Sequence, residues 1–128
     1  MNEKIKSFTD LKAWREGHRL VIMAYEITRA FAIEERYSLA DQMRRAAASI
    51  TSNIAEGFGR HSYKEKAQFY YQAQGSLTEL KNQILIAKDV NYLNKDDLVG
   101  LVKQANTAHQ LLQGLIQKSK TFIKDCKS

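Results

Sequence analysis

Three histidines, one cysteine and a few carboxylates are the residues with which this chain could do chemistry. His18, His61 and His109 are not paired at a metal-ligand spacing, and no Glu-x-x-His pattern offers the ligands of a di-iron bundle site. His18 and His109 fall on or beside apolar stripes, a position that predicts buried, hydrogen-bonded imidazoles. Cys126 stands in a lysine-rich tail, a setting that lowers a thiol's pKa, but it has no evident base or resolving thiol and reads as inert. There is no Gly-rich phosphate loop and no G-x-S-x-G. Gly57 and Gly59 read as a helix C-terminus, where glycine tolerates left-handed backbone. The expectation is no catalytic residue, no metal ligand, no cofactor and no enzyme.

Two further groups invite a chemical reading. Tyr70-Tyr71 could stack bases, but helical spacing puts Tyr70 in the core and Tyr71 at the surface or a subunit contact. Asn53 and Glu56 adjoin one apolar stripe, Ser76 and Glu79 adjoin the next, and Arg45 stands about two turns from Asn53. Paired carboxylates can serve acid–base chemistry, yet no pocket-forming loops accompany them. A buried carboxylate is costly unless a cation or several donors satisfy it. The residues therefore predict a structural interhelical network of Arg45, Asn53, Glu56, Ser76 and Glu79, with Gly75 letting backbones approach.

Four helices must position these groups. The first is expected from a Thr9 cap to about Phe31. It bears one stripe through Leu11, Trp14, His18, Val21, Tyr25 and Thr28, and a second through Leu20, Ala24, Ile27 and Phe31. That face is wider than one bundle interior needs. Ser38 caps the second, with Leu39, Met43, Ala46, Ile50, Ile54 and Phe58 inward. Ser62-Tyr63-Lys64-Glu65 is a capping box for the third, whose inward residues run from Tyr70 through Ala73, Leu77, Leu80 and Ile84 to Ala87. Asn94 caps the fourth, whose stripe runs from Leu98 through Leu101, Ala105, Ala108, Leu112, Leu115 and Ser119 to Phe122. Short connections make successive helices antiparallel neighbours, so the fold class is all-α, an up-down-up-down four-helix bundle.

Composition agrees. Prolines are absent and glycines number six in 128 residues, too few for the turns of an all-β domain. The balance of 44% hydrophobic and 27% charged residues is that of a globular chain. Residues 1–128 are expected to form one domain with flexible ends at 1–8 and 124–128. No stretch is apolar enough for a membrane span, the N-terminus lacks a signal peptide's apolar run, and a lone cysteine excludes an internal disulfide framework. Those features predict a cytoplasmic protein without a membrane partner.

From Arg44 to Arg60 the sequence RRAAASITSNIAEGFGR resembles the four-helix-bundle proteins encoded in intervening sequences of bacterial 23S ribosomal RNA genes. Asn53-Ile54-Ala55-Glu56-Gly57 is the most specific part. Phe8-Thr9-Asp10-Leu11 with Trp14, Tyr37-Ser38-Leu39 with Gln42, and Gly75-Ser76-Leu77-Thr78-Glu79-Leu80 support it, and the resemblance spans roughly residues 8–120. It implies a ring-like homopentamer. It also implies kinship with accessory variability determinant proteins of diversity-generating retroelements, which bind nucleic acid and a reverse transcriptase. The family brings no catalytic residues. Ala32 and Thr51 stand where relatives often carry proline, so the first helix is expected to overrun its relatives' end and the second to be straighter.

The net charge of +6 and pI near 9.5 favour an anionic partner. In an up-down-up-down bundle, segments 1–16, 56–67 and 118–128 share one pole and carry +1, +1 and +3. Segments 28–44 and 86–97 share the other and carry 0 and −1. The nucleic-acid surface is therefore assigned to Lys12, Arg15, Arg60, Lys64, Lys66, Lys120, Lys124 and Lys127. Helix dipoles account for the C-terminal lysines but not for Lys12, Arg15, Lys64 and Lys66, which lie near helix N-termini. Two hypotheses follow: an RNA- or DNA-associated accessory module, or a protein-interaction scaffold whose charge is incidental.

Overall fold

The computed structural model describes residues 4–36 and 38–126. Among them every regular element is helical: a 3-10 turn Phe8–Asp10, α1 (Lys12–Thr28), α2 (Ile33–Arg36), α3 (Leu39–Phe58), α4 (Tyr63–Asp89) and α5 (Lys95–Cys126). The four long helices enclose one apolar core, with α1 against α3 and α5, and α4 against α3 and α5.

The first helix departs from expectation at both ends. Ser7, not Thr9, is the cap, and the element it starts is the 3-10 turn. Its hydroxyl accepts the Thr9 N–H, while Asp10 accepts the backbone N–H groups of Lys6 and Ser7 at 3.0 Å each. The chain then enters α1 through an extended Leu11. α1 does not overrun: it stops at Thr28, and the short α2 occupies part of the connection. Of the two α1 stripes, the second supplies most of the core, with Leu20, Ala24 and Phe31 buried and Ile27 half-buried; of the first, Thr28 is buried, Leu11, Trp14 and Val21 are half-buried against the core, and His18 and Tyr25 are exposed.

The later caps follow their sequence signals in part. Ser62 accepts the Glu65 N–H at 3.1 Å, and Asn94 accepts the Asp97 N–H at 2.7 Å. Ser38 precedes α3 without a side-chain cap bond. α4 ends in a reversal with Asn91 at φ 63°, where the Tyr92 N–H donates to the Ala87 carbonyl at 2.8 Å. Asn tolerates this left-handed conformation better than branched residues do. Of the ends expected to be flexible, Phe8 opens the first turn and residues 124–126 complete α5, while 1–3 and 127–128 lie outside the described residues.

The glycines follow their sequence reading only in part. Gly57 and Gly59 stand at the C-terminus of α3, with Gly59 its C-cap, but neither is left-handed; Gly57 is a buried residue of α3 packed tightly against Phe69 and Tyr70 of α4. Gly75 is exposed with open space where a Cβ would stand, so it does not set the α3–α4 approach, and Gly114 is alike. An exposed mid-helix glycine costs about 0.5–1 kcal/mol relative to alanine. Gly75→Ala and Gly114→Ala are accordingly expected to raise stability by about that much each, measured by urea unfolding.

Candidate nucleic-acid interface

The pole assigned to nucleic acid is built by four chain segments that converge. Ile5 and Leu11 from the N-terminal segment, Phe58 from the end of α3, Tyr63, Lys66 and Tyr70 from α4, and Leu115, Lys118, Ser119 and Phe122 from α5 line one cavity of about 250 Å³. The Tyr63 and Phe122 rings meet at 4.6 Å between centroids. Lys66 ties α4 to α3: its ammonium donates to the Phe58 carbonyl at 2.6 Å and lies 5.3 Å from the Phe58 ring centre. Burial there pushes the Lys66 pKa below its ordinary value.

The cations of this pole fall into two groups. Arg15 and Arg60 already have local partners. Arg15 donates to the Thr9 carbonyl at 2.9 Å and lies 3.8 Å from Asp10. The Asp10 carboxyl is held below its ordinary value by the backbone N–H groups of Lys6 and Ser7. Arg60 pairs with Glu56 at 3.2 Å and covers the Phe69 ring at 4.6 Å. Lys12, Lys64, Lys120 and Lys124 are exposed, and no acid of the described residues pairs with them. Lys120 stands 5.4 Å over the ring of exposed Tyr71. Lys127 lies outside the described residues.

The five residues expected to form one buried network are not brought together. Arg45 is exposed and pairs with Asp41 at 3.1 Å. Glu56 is exposed with Arg60, and Glu79 is exposed and accepts from Gln83 at 3.3 Å. Asn53 and Ser76 do meet, through a residue the sequence reading left out: Asn53 donates to the Ser49 hydroxyl at 3.1 Å and to its carbonyl at 2.9 Å, and Ser49 shares a 2.8 Å hydrogen bond with Ser76. The α3–α4 polar contact is thus neutral, and the carboxylates avoid desolvation by staying in water.

Other polar ties join the remaining helices. Gln104 of α5 donates to the Glu16 carbonyl at 2.8 Å and its carboxylate at 3.0 Å. Arg44 donates to the buried Thr28 hydroxyl at 2.9 Å and lies over the Tyr25 ring at 5.0 Å. Tyr70 is buried, with its phenol pushed up to about 12 chiefly by that burial. His18 is exposed and stacks on Trp14 at 4.7 Å, and His61 is exposed. Among the described residues no cluster of His, Cys, Asp and Glu could hold a metal ion, and no helix is long and apolar enough to cross a membrane. The Cys126 side chain lies outside what is described.

His109 is half-buried between α4 and α5, where the Lys81 ammonium donates to its Nδ1 at 2.7 Å. Burial, and then the Lys81 charge, hold His109 below its ordinary value of 6.5. The unfolded chain therefore takes up this proton first, and stability falls as pH drops below about 6.5 toward the folded value. The melting temperature is expected to be lower at pH 5 than at pH 7.5. His109→Gln should remove most of that fall; an unchanged slope would show that the pair does not couple to folding.

Against known families, residues 9–114 match the model of the 23S rRNA-intervening sequence proteins. No curated protein matches the chain.

Proposed function

Because the chain belongs to the 23S rRNA-intervening sequence protein family, we propose that it is a basic, non-enzymatic accessory module that docks a nucleic acid on the pole around Lys12, Lys64, Lys120 and Lys124. The observation that carries the reading is the state of these lysines: exposed, without an acidic partner among the described residues, and in two cases near a helix N-terminus, where a cation is mildly unfavourable. A chain that needed charge only for solubility could place it more cheaply.

In this reading the long helices run up-down-up-down. The contacts in its favour pair early residues of one helix with late residues of the next. Gly17 approaches Thr51 while Thr28 meets Arg44; Ser49 meets Ser76 while Gly57 meets Tyr70; Tyr63 meets Phe122 while Lys81 meets His109. The test is binding of a labelled single-stranded RNA of about 20 nucleotides across a salt series. A steep linear fall of log affinity with log salt is expected. No measurable binding at about 50 mM salt would leave the protein-interaction scaffold as the better reading.

The module is also proposed to assemble with itself, most simply as a homopentamer. Ile22 and Tyr25 on α1, and Leu85, Val99 and Val102 on α4 and α5, are large apolar side chains left exposed at 39–56%. Two such faces on different sides suit a heterologous contact that closes into a ring. Sedimentation at tens of micromolar is expected to show an oligomer, and a monomer there would refute the assembly.

A further inference from the structure

The cavity at the basic pole has a chemistry of its own. Phe58, Tyr63, Phe122 and Leu115 line it above the buried Tyr70, with Tyr63 the exposed ring among them, and Lys66, whose ammonium is held at the Phe58 carbonyl, is among its polar residues. We infer that this cavity receives one unstacked base of a single-stranded nucleic acid, so that the pole binds single strands in preference to duplexes; the inference rests on the nucleic-acid reading proposed above.

Shape, chemistry and surroundings converge on that occupant. The volume of about 250 Å³ lies below the roughly 300–1,000 Å³ of pockets that hold drug-sized ligands, and it suits a single ring system. The exposed Tyr63 ring, with the half-buried Phe58 and Phe122 beside it, favours a flat π-face, which every base supplies whatever its sequence. One of the three Lys66 N–H bonds goes to the Phe58 carbonyl; the rest have no partner among the described residues and can meet a base carbonyl or ring nitrogen. An uncharged aromatic metabolite would use the walls but not the surrounding charge. Lys118 at the cavity, with Lys64, Lys120 and Lys124 on the same pole, complements a chain of phosphates. In a duplex the bases are stacked and paired, so none can enter without an unpairing cost; in a single strand they are available.

Tyr63 is the wall to test, because it is exposed at the first turn of α4 and the core does not depend on it. Fluorescence anisotropy would compare a 20-nucleotide single-stranded RNA with a duplex of the same length, for the full chain and for Tyr63→Ala. The single strand is expected to bind more tightly by about tenfold or more, and Tyr63→Ala to weaken it by about tenfold while duplex binding changes less than twofold. Photocrosslinking with 4-thiouridine in the same strand is expected to attach Tyr63 or Phe122, a readout that needs no variant. Equal affinity for strand and duplex, or crosslinks confined to other parts of the pole, would overturn the cavity's role and leave charge-driven docking standing. Failure of both nucleic acids to bind would overturn both. A free nucleoside monophosphate that displaces the strand at micromolar concentration would overturn the strand assignment in favour of a nucleotide site.

Discussion

Gly57→Ala is expected to destabilise the protein by about 2 kcal/mol, although the same change at most helical glycines stabilises. A Cβ on Gly57 would lie 2.7 Å from Tyr70 Cε1 and 3.0 Å from both Tyr70 Cδ1 and Phe69 Cβ. Real Cβ atoms do not approach so closely, so something must move. The Tyr70 ring is 2% exposed and enclosed by the core, and Phe69 Cβ is fixed to the α4 backbone. Overpacking of this kind costs roughly 1–3 kcal/mol, occasionally more. The helical gain from replacing glycine is about 0.5–1 kcal/mol. Packing therefore wins, and urea unfolding measures the difference. Gly75→Ala is the control, since it makes the same change without the neighbour. If Gly57→Ala were as stable as the parent, the α3–α4 approach would have to be looser than these distances.

The same residue shows where sequence reading reaches its limit. A glycine means that either the backbone or the space cannot accept a side chain. At Gly57 the sequence pattern pointed to the backbone, because the residue stands near a helix end and the next turn is polar. The cause is instead Tyr70, thirteen positions later, which no local pattern reveals. The inward stripes were legible for the opposite reason: period alone places Met43, Ile50 and Ile54, or Leu77, Leu80 and Ile84, on one side of a helix, and all are buried. α1 was ambiguous because it carries two stripes, and only contact with α3 and α5 selects the one through Leu20 and Ala24. Polar pairing was least legible. Glu56 and Glu79 adjoin inward stripes by count, yet long side chains reach water from such positions, and Glu56 meets Arg60 one turn on. Ser49 and Ser76 are too short to escape and find each other across the interface.

Reversing Lys12, Lys64 and Lys124 to glutamate together is expected to weaken binding of a single-stranded RNA on the order of 100-fold at about 0.1 M salt. It should also flatten the log–log salt slope by about 2, since each lost phosphate contact removes roughly 0.7 for single strands. Matched reversals of Arg29, Lys88 and Lys95, exposed at α1's end, α4's last turn and α5's start, should change either quantity little. The set at the basic pole is chosen so that misfolding cannot imitate the result. Lys12 is the first residue of α1 and Lys64 the second of α4. An acid at either position meets the positive end of the helix dipole and stabilises by about 0.3–1 kcal/mol. Lys124 lies near the end of α5, where an acid costs a similar amount. The triple variant should therefore melt at or above the parent's temperature while binding worse, a combination that loss of structure cannot produce. Removing Arg15 or Arg60 should matter less, because Asp10 and Glu56 already offset part of their charge. Equal losses from both sets would mean that the whole surface attracts RNA through net charge alone, and the pole would lose its claim to be an interface.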